Sequence, residues 1–190
     1  MTRPPHEIPV PGPAADFAAR LRAALPRLET DRLVLRAPRL EDFAIYWEIY
    51  SRRDSAWVVD DPSRTGAWLD FAQMAGGWLL RGHGAWAVET RGGETVGFVL
   101  VGLEPGDHEP ELGYFFRAEA EGQGYAMEAA LAARAHAFET MGLSTLVSTI
   151  DPGNAASQRL AERMGAIRDA EAEAAHTREI LVYRHQVGST

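Results

Sequence analysis

Apolar residues along the chain follow two different spacings. Alternating or continuous apolar positions predict strands at residues 32–36, 85–90, 95–103, 111–117, 146–150 and 179–185. Apolar positions three and four residues apart predict helices at residues 40–50, 65–80, 124–142 and 155–164. The predicted order is strand, two helices, three strands, helix, strand, helix, strand. This order indicates one α/β (α+β mixed) domain in which helices flank a central mixed, twisted sheet of about six to seven strands.

The N-terminal segment, residues 1–27, has a different pattern. Five prolines before residue 14 break any regular element and predict a flexible arm. Phe17, Leu21 and Leu25 recur four residues apart, which predicts a short amphipathic helix that ends at Pro26. We therefore divide the chain into this arm with its helix and a domain at residues 28–187. The helix is expected to pack on the domain or on another subunit, and a monomer and a homodimer are both compatible with the sequence.

The composition excludes several classes of function. The chain has no cysteine, so it forms no disulfide, no thiolate metal site and no cysteine nucleophile. The chain has 19 arginines and no lysine. The absence of lysine excludes lysine Schiff-base chemistry and the phosphate-binding lysine of a P-loop. The formal net charge of −8 repels a phosphate backbone, so nucleic acid is not expected as a partner.

The sequence predicts neither a membrane segment nor a metal site. A helix that spans a bilayer needs about 18 consecutive apolar residues, and the chain has no such run. The early prolines also interrupt any secretory signal, so a cytoplasmic location is the expectation. The six histidines are scattered along the chain, and none lies at metal-ligand spacing from another.

A glycine-rich turn leads from the predicted strand at 111–117 into the long predicted helix. The turn and the start of the helix have the sequence Glu121-Gly122-Gln123-Gly124-Tyr125-Ala126. Unpaired N–H groups and the helix dipole make such a helix N-terminus a seat for a diphosphate, and the glycines allow close approach. Strand-to-helix turns also favour glycine without any ligand. The Walker and dinucleotide-binding patterns both fail here, because there is no lysine and because Met127 stands where a third glycine is needed.

A second strand-to-helix junction follows at residues 151–157. It contains Asn154, the only asparagine of the chain, and Ser157. Two interpretations remain open at this point. Asn154 is a good N-cap for the following helix, or Asn154 and Ser157 face a ligand that lies between the two helix N-termini.

These motifs and their order resemble the GNAT superfamily of acyl-CoA N-acyltransferases. The segments that carry the resemblance are residues 28–36, 121–126, 128–129 and 154–165, within a similarity that covers about residues 28–185. The sequence looks most like the branch that includes the ribosomal-protein N-terminal acetyltransferases. The resemblance implies a GNAT-like fold and transfer of an acetyl group from acetyl-CoA to a primary amine, on a protein N-terminus or a small molecule. It implies direct attack within a ternary complex.

The resemblance also assigns roles to individual residues. Acetyl-CoA is expected to contact Phe115, Phe116, Gly122, Gln123, Gly124, Tyr125, Ala126, Asn154 and Ser157. The amine acceptor is expected near Trp57, Asp60, Trp68 and Glu111. Glu111 is the candidate general base, directly or through water, and backbone N–H groups at residues 113–115 are expected to polarise the thioester carbonyl.

Two positions depart from the family pattern. Glu121 stands where an arginine or glutamine usually begins the cofactor loop, which puts a negative charge near a diphosphate. Ala161 stands where many members have a tyrosine that protonates the leaving thiolate, so Ser157 is the candidate for that role. Acidic residues that include Asp61, Asp107 and Glu109 are expected to attract a cationic acceptor.

Two other functions stay open from the sequence. The missing tyrosine and Glu121 are compatible with a non-catalytic module that binds or senses acyl-CoA. A structural or assembly protein that uses the first helix as a contact surface is the other alternative.

Overall fold

A single mixed sheet of eight strands forms the centre of the structure, a computed structural model that describes residues 3–52 and 61–188. The strands are β1 (Leu28–Glu29), β2 (Leu33–Arg36), β3 (Ala85–Thr90), β4 (Thr95–Gly102), β5 (Glu111–Phe116), β6 (Val147–Ile150), β7 (Ile167–Arg168) and β8 (Leu181–Arg184). Their order across the sheet is β1-β2-β3-β4-β5-β6-β8-β7. The pair β5 and β6 is parallel, and the other pairs are antiparallel.

Helices cover both faces of this sheet. The helices of the described residues are α1 (Pro13–Ala23), α2 (Phe43–Tyr50), α3 (Arg64–Arg81), α4 (Tyr125–Glu139), α5 (Ala155–Arg163) and α6 (Ala170–Glu173), and α1 buries none of its residues. Apolar residues of α2 and α3 pack on one face in a cluster with Phe98 of β4, and the small side chains of α4 pack on the other with Val99 and Leu112. α5 buries Ala161 against Ile150 of β6. Two apolar layers therefore enclose the middle of the sheet.

The mixed α/β fold predicted from the sequence is confirmed. The strand predicted at residues 85–90 has the same bounds in the structure, and the other predicted elements differ by a few residues at their ends. The sheet has eight strands because β1 and β7 add a two-residue strand at each edge. Two residues are too few to show a spacing pattern, and α6, with four residues, escaped prediction for the same reason.

The N-terminal arm is anchored to the domain by an ion pair. Residues Pro5–Glu7 form a 3₁₀ turn, and the side chain of Glu7 is only 1% exposed. Arg64, at the start of α3, donates two hydrogen bonds of 2.6 Å to the two carboxylate oxygens of Glu7. The sequence predicted a flexible arm here and gave no sign of this contact. The division of the chain at residue 27 stays a prediction.

The sheet opens between β5 and β6. β5 pairs with β4 along its whole length, from Glu111 opposite Gly102 to Phe116 opposite Gly97. With β6 it shares one register pair, Glu111 opposite Val147. The two parallel strands therefore part immediately after residue 111 and leave a gap in the middle of the sheet.

Candidate active site

An open cavity of about 520 Å³ lies at the gap between β5 and β6. Residues of β5, β6, the first turn of α5 and one side of α3 line it. The lining includes four of the residues singled out from the sequence, namely Glu111, Phe115, Asn154 and Ser157. The topology thus brings together positions that are up to 46 residues apart in the chain.

Backbone groups of β5 point into the gap. Peptide groups alternate between the two edges of a strand. The N–H of Arg117 donates to Val96 of the β4 side, whereas the carbonyl of Pro110 accepts from Val147 of β6, each at 3.0 Å. Odd-numbered positions of β5 therefore face β4, and even-numbered positions face β6. Since β6 has diverged by residue 114, the N–H of Tyr114 faces the gap.

Glu111 lies at the point where the strands part. It lines the large cavity and also a second cavity of about 70 Å³, which β6 and α6 border. The hydroxyl of Thr149 donates to Glu111 Oε1 at 2.5 Å. Burial raises the pKa of Glu111 to about 7, against the effect of the Thr149 hydrogen bond and with added repulsion from Asp107 and Glu104. A carboxyl group with this pKa exchanges its proton readily near neutral pH.

The side chain of Tyr114 lines the cavity, whereas the sequence analysis singled out only the backbone N–H groups of this segment. Its side chain lies on the face of β5 opposite that of Glu111, because successive side chains of a strand alternate. The phenol donates to the backbone carbonyl of Ser157 at 3.1 Å, and burial raises its pKa above the usual range. This bond joins β5 to the first turn of α5. Nothing in the sequence indicated the partner of this phenol.

The structure shows Asn154 as the N-cap of α5. Its side-chain oxygen accepts from the N–H of Ser157 at 3.1 Å. Of the two interpretations left open by the sequence, the capping role is therefore confirmed. Asn154 and Ser157 also line the cavity, so the same junction forms part of its wall.

The glycine-rich loop forms the N-terminus of α4. Gly122 and Gly124 have φ angles of 73° and 80°, in the region that favours glycine, and no side chain caps this helix N-terminus. Arg32 donates to the carbonyl of Gln123 at 2.9 Å and is held by Glu128 at 2.7 Å. Within a trans peptide the N–H points away from the carbonyl, so Arg32 directs the N–H of Gly124 away from itself.

The loop's negative charge is paired. The side chain of Glu121 is 61% exposed and lies 2.9 Å from the guanidinium of Arg52. The negative charge that Glu121 adds to the loop is therefore neutralised by Arg52 and screened by solvent.

The remaining predicted residues lie in several environments. Residues 122–126 are at the N-terminus of α4, outside the lining of the cavity. Phe115 lines the cavity and packs on Tyr46 and Phe98, whereas Phe116 packs in the core on the α4 side. Trp57 and Asp60 lie outside the described residues.

Trp68, which was expected near the acceptor, lies outside the lining of the cavity. It packs against Phe43, Phe71 and His6, with ring centroids 5.1, 6.4 and 4.8 Å away. The next helical positions, Leu69 and Asp70, line the cavity instead. Amphipathic spacing located the helix but could not show which of its sides meets the gap.

The charged residues that line the cavity are mainly acidic. Its carboxylates are those of Asp61, Asp70, Glu104, Asp107, Glu111 and Asp151, and Arg178 is the one basic residue among the described lining. Glu109 was also predicted to attract an acceptor, but its carboxylate is bound by Arg184 at 2.7 Å and by Thr145. It borders the smaller cavity only.

Comparison with known proteins agrees with this geometry. Residues 32–167 match the acetyltransferase (GNAT) domain family. The chain belongs to the GNAT acetyltransferase family. The resemblance to acyl-CoA-dependent acetyltransferases predicted from the sequence is thereby confirmed, and the protein is an enzyme of this class.

Relatives of this GNAT acetyltransferase cover most of its length. It is 31% identical over 150 residues to the uncharacterized protein YkkB of Bacillus subtilis, which is 73% of this chain and 84% of that one. The crystal structure of an acetyltransferase from Agrobacterium tumefaciens has a TM-score of 0.81 and 36% identity, and the match covers 86% of this chain and 96% of that one. A candidate ribosomal-protein-serine acetyltransferase from Vibrio cholerae has a similar fold, with a TM-score of 0.64, 23% identity and coverage of 84% and 96%.

The structure also bears on membrane-spanning helices and on metal-binding groups. Within residues 3–52 and 61–188, no helix is long and apolar enough to cross a membrane. In the same residues no group of three or more His, Cys, Asp or Glu is arranged to hold a metal ion.

The raised pKa of Glu111 predicts a pH-dependent stability. Its ordinary pKa is 4.5, so between pH 4.5 and about 7 the folded protein binds a proton that the unfolded chain does not. Stability therefore falls as the pH rises through this interval. The substitution Glu111→Gln removes the effect, and we expect the variant to be more stable than the parent at pH 8, by about 1 to 3 kcal/mol, and to lose this advantage at pH 4. Urea unfolding at both pH values measures the difference.

Glu109→Gln is the matched control. Arg184 lowers the pKa of Glu109, so this substitution should destabilise the protein at pH 8 and cost less at pH 4. An equal response of both variants to pH would contradict the assigned environment of Glu111.

Proposed function

We propose that this GNAT acetyltransferase transfers the acetyl group of acetyl-CoA to the primary amine of a cationic acceptor, by direct attack in a ternary complex. The observation that carries this proposal is the gap between β5 and β6. At this gap a carboxyl group with a pKa near neutrality, a backbone N–H and the first turn of a helix border one cavity. The acceptor class and the roles of individual residues rest on this arrangement.

The N-terminus of α4 fits the diphosphate of acetyl-CoA. The helix start has no side-chain cap, and its glycines keep the approach to the backbone open. Arg32 holds the carbonyl of Gln123, which directs the neighbouring N–H away from Arg32. Residues 122–126 would bind the diphosphate through these amides, and bound acetyl-CoA would supply the activated thioester.

Glu111 is the proposed general base. An amine acceptor arrives mostly protonated at neutral pH and must lose a proton before it attacks. The Glu111 carboxylate would accept this proton, directly or through one water molecule. Its position at the start of the gap, with Asp107 and Glu104 near it, supports this role.

Two groups of the chain would assist the departure of the thiol. The N–H of Tyr114 would donate to the thioester carbonyl and stabilise the negative charge that develops there. Ser157, in the first turn of α5, would protonate the leaving sulfur. The phenol of Tyr114 fixes this turn through its bond to the Ser157 carbonyl, so one residue positions both groups.

The acidic lining supports a cationic acceptor. Six carboxylates and one guanidinium face the cavity from the described residues, so its potential favours positively charged ligands. A polyamine, an aminoglycoside or a basic peptide N-terminus has this chemistry. A cytoplasmic location would give access to all three.

A non-catalytic acyl-CoA-binding module is the second candidate. The buried Ala161, in place of a thiol-protonating tyrosine, favours it. The raised pKa of Glu111 favours the enzyme, because a binding module has no use for a carboxyl group poised to exchange protons.

The acceptor proposal predicts selective thiol release. With acetyl-CoA and a panel of neutral amino acids, basic N-terminal peptides, polyamines and aminoglycosides, we expect the cationic amines to accelerate release most. Asp107→Asn should raise the KM of the best cationic acceptor about fivefold, since one half-exposed charge contributes roughly 1 kcal/mol, and leave the KM of acetyl-CoA unchanged.

Glu94→Gln removes an acidic charge that pairs with Arg117 outside the cavity and serves as the control. If no amine in the panel accelerates thiol release while coenzyme A still binds, the proposed acceptor class is wrong and the binding-module candidate is favoured. If neutral amines are preferred, the cationic assignment is wrong.

The base role predicts a specific pH profile. In the parent enzyme kcat/KM should rise with pH through about 7, as the carboxyl group of Glu111 loses its proton. Glu111→Gln should lower kcat by about 10²- to 10⁴-fold and remove this rise, with little change in coenzyme A affinity. Stopped-flow assays across pH 5.5–9 with the best acceptor test it. A variant that keeps the same profile would show that another group titrates.

The cofactor seat predicts a position-specific loss of affinity. A side chain at Gly124 would be strained by the φ of 80° and would lie 3.3 Å from the Arg32 guanidinium. Gly124→Val should therefore weaken coenzyme A binding at least about tenfold in calorimetric titration. Gly142→Val introduces similar strain at the other end of α4, where φ is 70°, and should leave the affinity unchanged. Equal losses in both variants would mean that α4 as a whole had been disturbed.

A further inference from the structure

Ser148 and His185 form a buried polar pair directly beneath the gap. Ser148 is the second residue of β6, and His185 follows the last residue of β8. Each side chain belongs to a residue that is only 3% exposed. The proposed mechanism uses neither of them, although Ser148 reaches the lining of the cavity.

The pair is joined to β5 by a chain of hydrogen bonds. The hydroxyl of Ser148 donates to the carbonyl of Leu112 at 2.7 Å, and its oxygen lies 3.0 Å from Nε2 of His185. Nδ1 of His185 is buried and has no partner in the described part of the chain. Burying an N–H group without an acceptor costs more free energy than burying a ring nitrogen whose lone pair has no donor. We therefore assign the imidazole proton to Nε2, which has the Ser148 oxygen as its acceptor, and leave Nδ1 unprotonated. The imidazole N–H then donates to the Ser148 hydroxyl, and the hydroxyl donates to the Leu112 carbonyl.

The surroundings of His185 keep it neutral. Burial and the nearby Arg134 lower the pKa of His185 to about 4. The guanidinium of Arg134 donates to the carbonyl of Met164 at 2.5 Å, which fixes its position. The donors and acceptors of these two hydrogen bonds therefore stay the same near neutral pH, where an acetyltransferase of this kind would work.

The serine hydroxyl replaces a bond of the sheet. In a parallel pair the carbonyl of Leu112 would accept from a backbone N–H of β6, as the carbonyl of Pro110 does from Val147 at 3.0 Å. The register pairing ends at Glu111 opposite Val147, and the next carbonyl on this edge is bound by a side chain. A side-chain hydroxyl satisfies Leu112 without drawing the backbone of β6 alongside β5.

We propose that Ser148 and His185 act as a clasp that determines where β5 and β6 part, and that the clasp thereby orients the N–H of Tyr114 toward the thioester. The clasp fixes the carbonyl of Leu112, two residues before Tyr114 on the same edge of β5. Both are positioning residues, because their effect passes through the backbone of β5. The clasp deepens the proposed function and rests on it for its catalytic consequence, but not for its geometry.

The geometry is tested in the whole protein by NMR, without an activity assay. The ¹⁵N shifts of His185 should report an imidazole protonated at Nε2 and neutral from pH 6 to 9. Ser148→Ala should shift the amide resonance of Tyr114, with the fold preserved. A proton on Nδ1, or an unchanged Tyr114 amide in Ser148→Ala, would overturn the clasp even if acetyl transfer is established.

The catalytic consequence is tested by kinetics. Ser148→Ala should lower kcat about 10- to 100-fold, because a misdirected donor at the reacting carbonyl is costly, while the Kd of coenzyme A changes less than about twofold. Ser148→Thr retains a hydroxyl and should recover most of kcat. His185→Leu should reproduce the loss, and the double variant with Ser148→Ala should add little to it.

Thr95→Val is the control for a purely structural effect. Thr95 bonds Asp42 and Arg36 at the opposite end of β4, so its loss should lower the Tm with kcat unchanged. A kcat for Ser148→Ala within twofold of the parent, or a loss that Ser148→Thr does not recover, contradicts the positioning role. If the parent transfers no acetyl group to any amine, the proposed function fails, and the NMR outcome still decides the clasp.

Discussion

The separation of β5 from β6 after one register pair is the feature on which the whole site depends. A continuous parallel pair would use the even-numbered peptide groups of β5 in the sheet and close the cavity. Because the pairing stops at Glu111, those groups face a gap, and the hydroxyl of Ser148 satisfies the first of them. The rest of the sheet tolerates this break because β5 is bonded to β4 along its full length.

Charge is arranged differently on the two sides of this gap. Carboxylates from the α3 side and from the loops at the start of β5 surround the proposed acceptor end, whereas helix N-termini and Arg32 belong to the proposed cofactor end. An anionic cofactor and a cationic amine would thus approach from regions of opposite potential and meet where the strands part. The same acidic surroundings, together with burial, raise the pKa of Glu111. One distribution of charge would therefore select the acceptor and prepare the base.

The sequence predicted the fold well because long elements carry strong patterns. The helix at the glycine-rich loop, the strand at Glu111 and the junction at Asn154 were all located from residue spacing. Contacts between distant segments were beyond reach: the bond from Tyr114 to Ser157, the Ser148 and His185 pair, and the orientation of Trp68 depend on register and helix rotation. A shift of one residue in a strand reverses which face a side chain takes, and composition does not report it.

The two departures from the family pattern, Glu121 and Ala161, are compatible with a site that uses backbone N–H groups and buried side chains. Glu121 is paired with Arg52 and exposed, so the helix N-terminus can keep its preference for anions. Ala161 is fully buried against Ile150 and Tyr183, where a tyrosine would not fit without repacking. Ser157 lies four residues earlier on the same helical face and borders the cavity, so proton donation would move back by one turn of α5. A short serine side chain can donate a proton to the thiolate only if the helix start that carries it is fixed in position. The bond from the Tyr114 phenol to the Ser157 carbonyl fixes the first turn of α5 in this way.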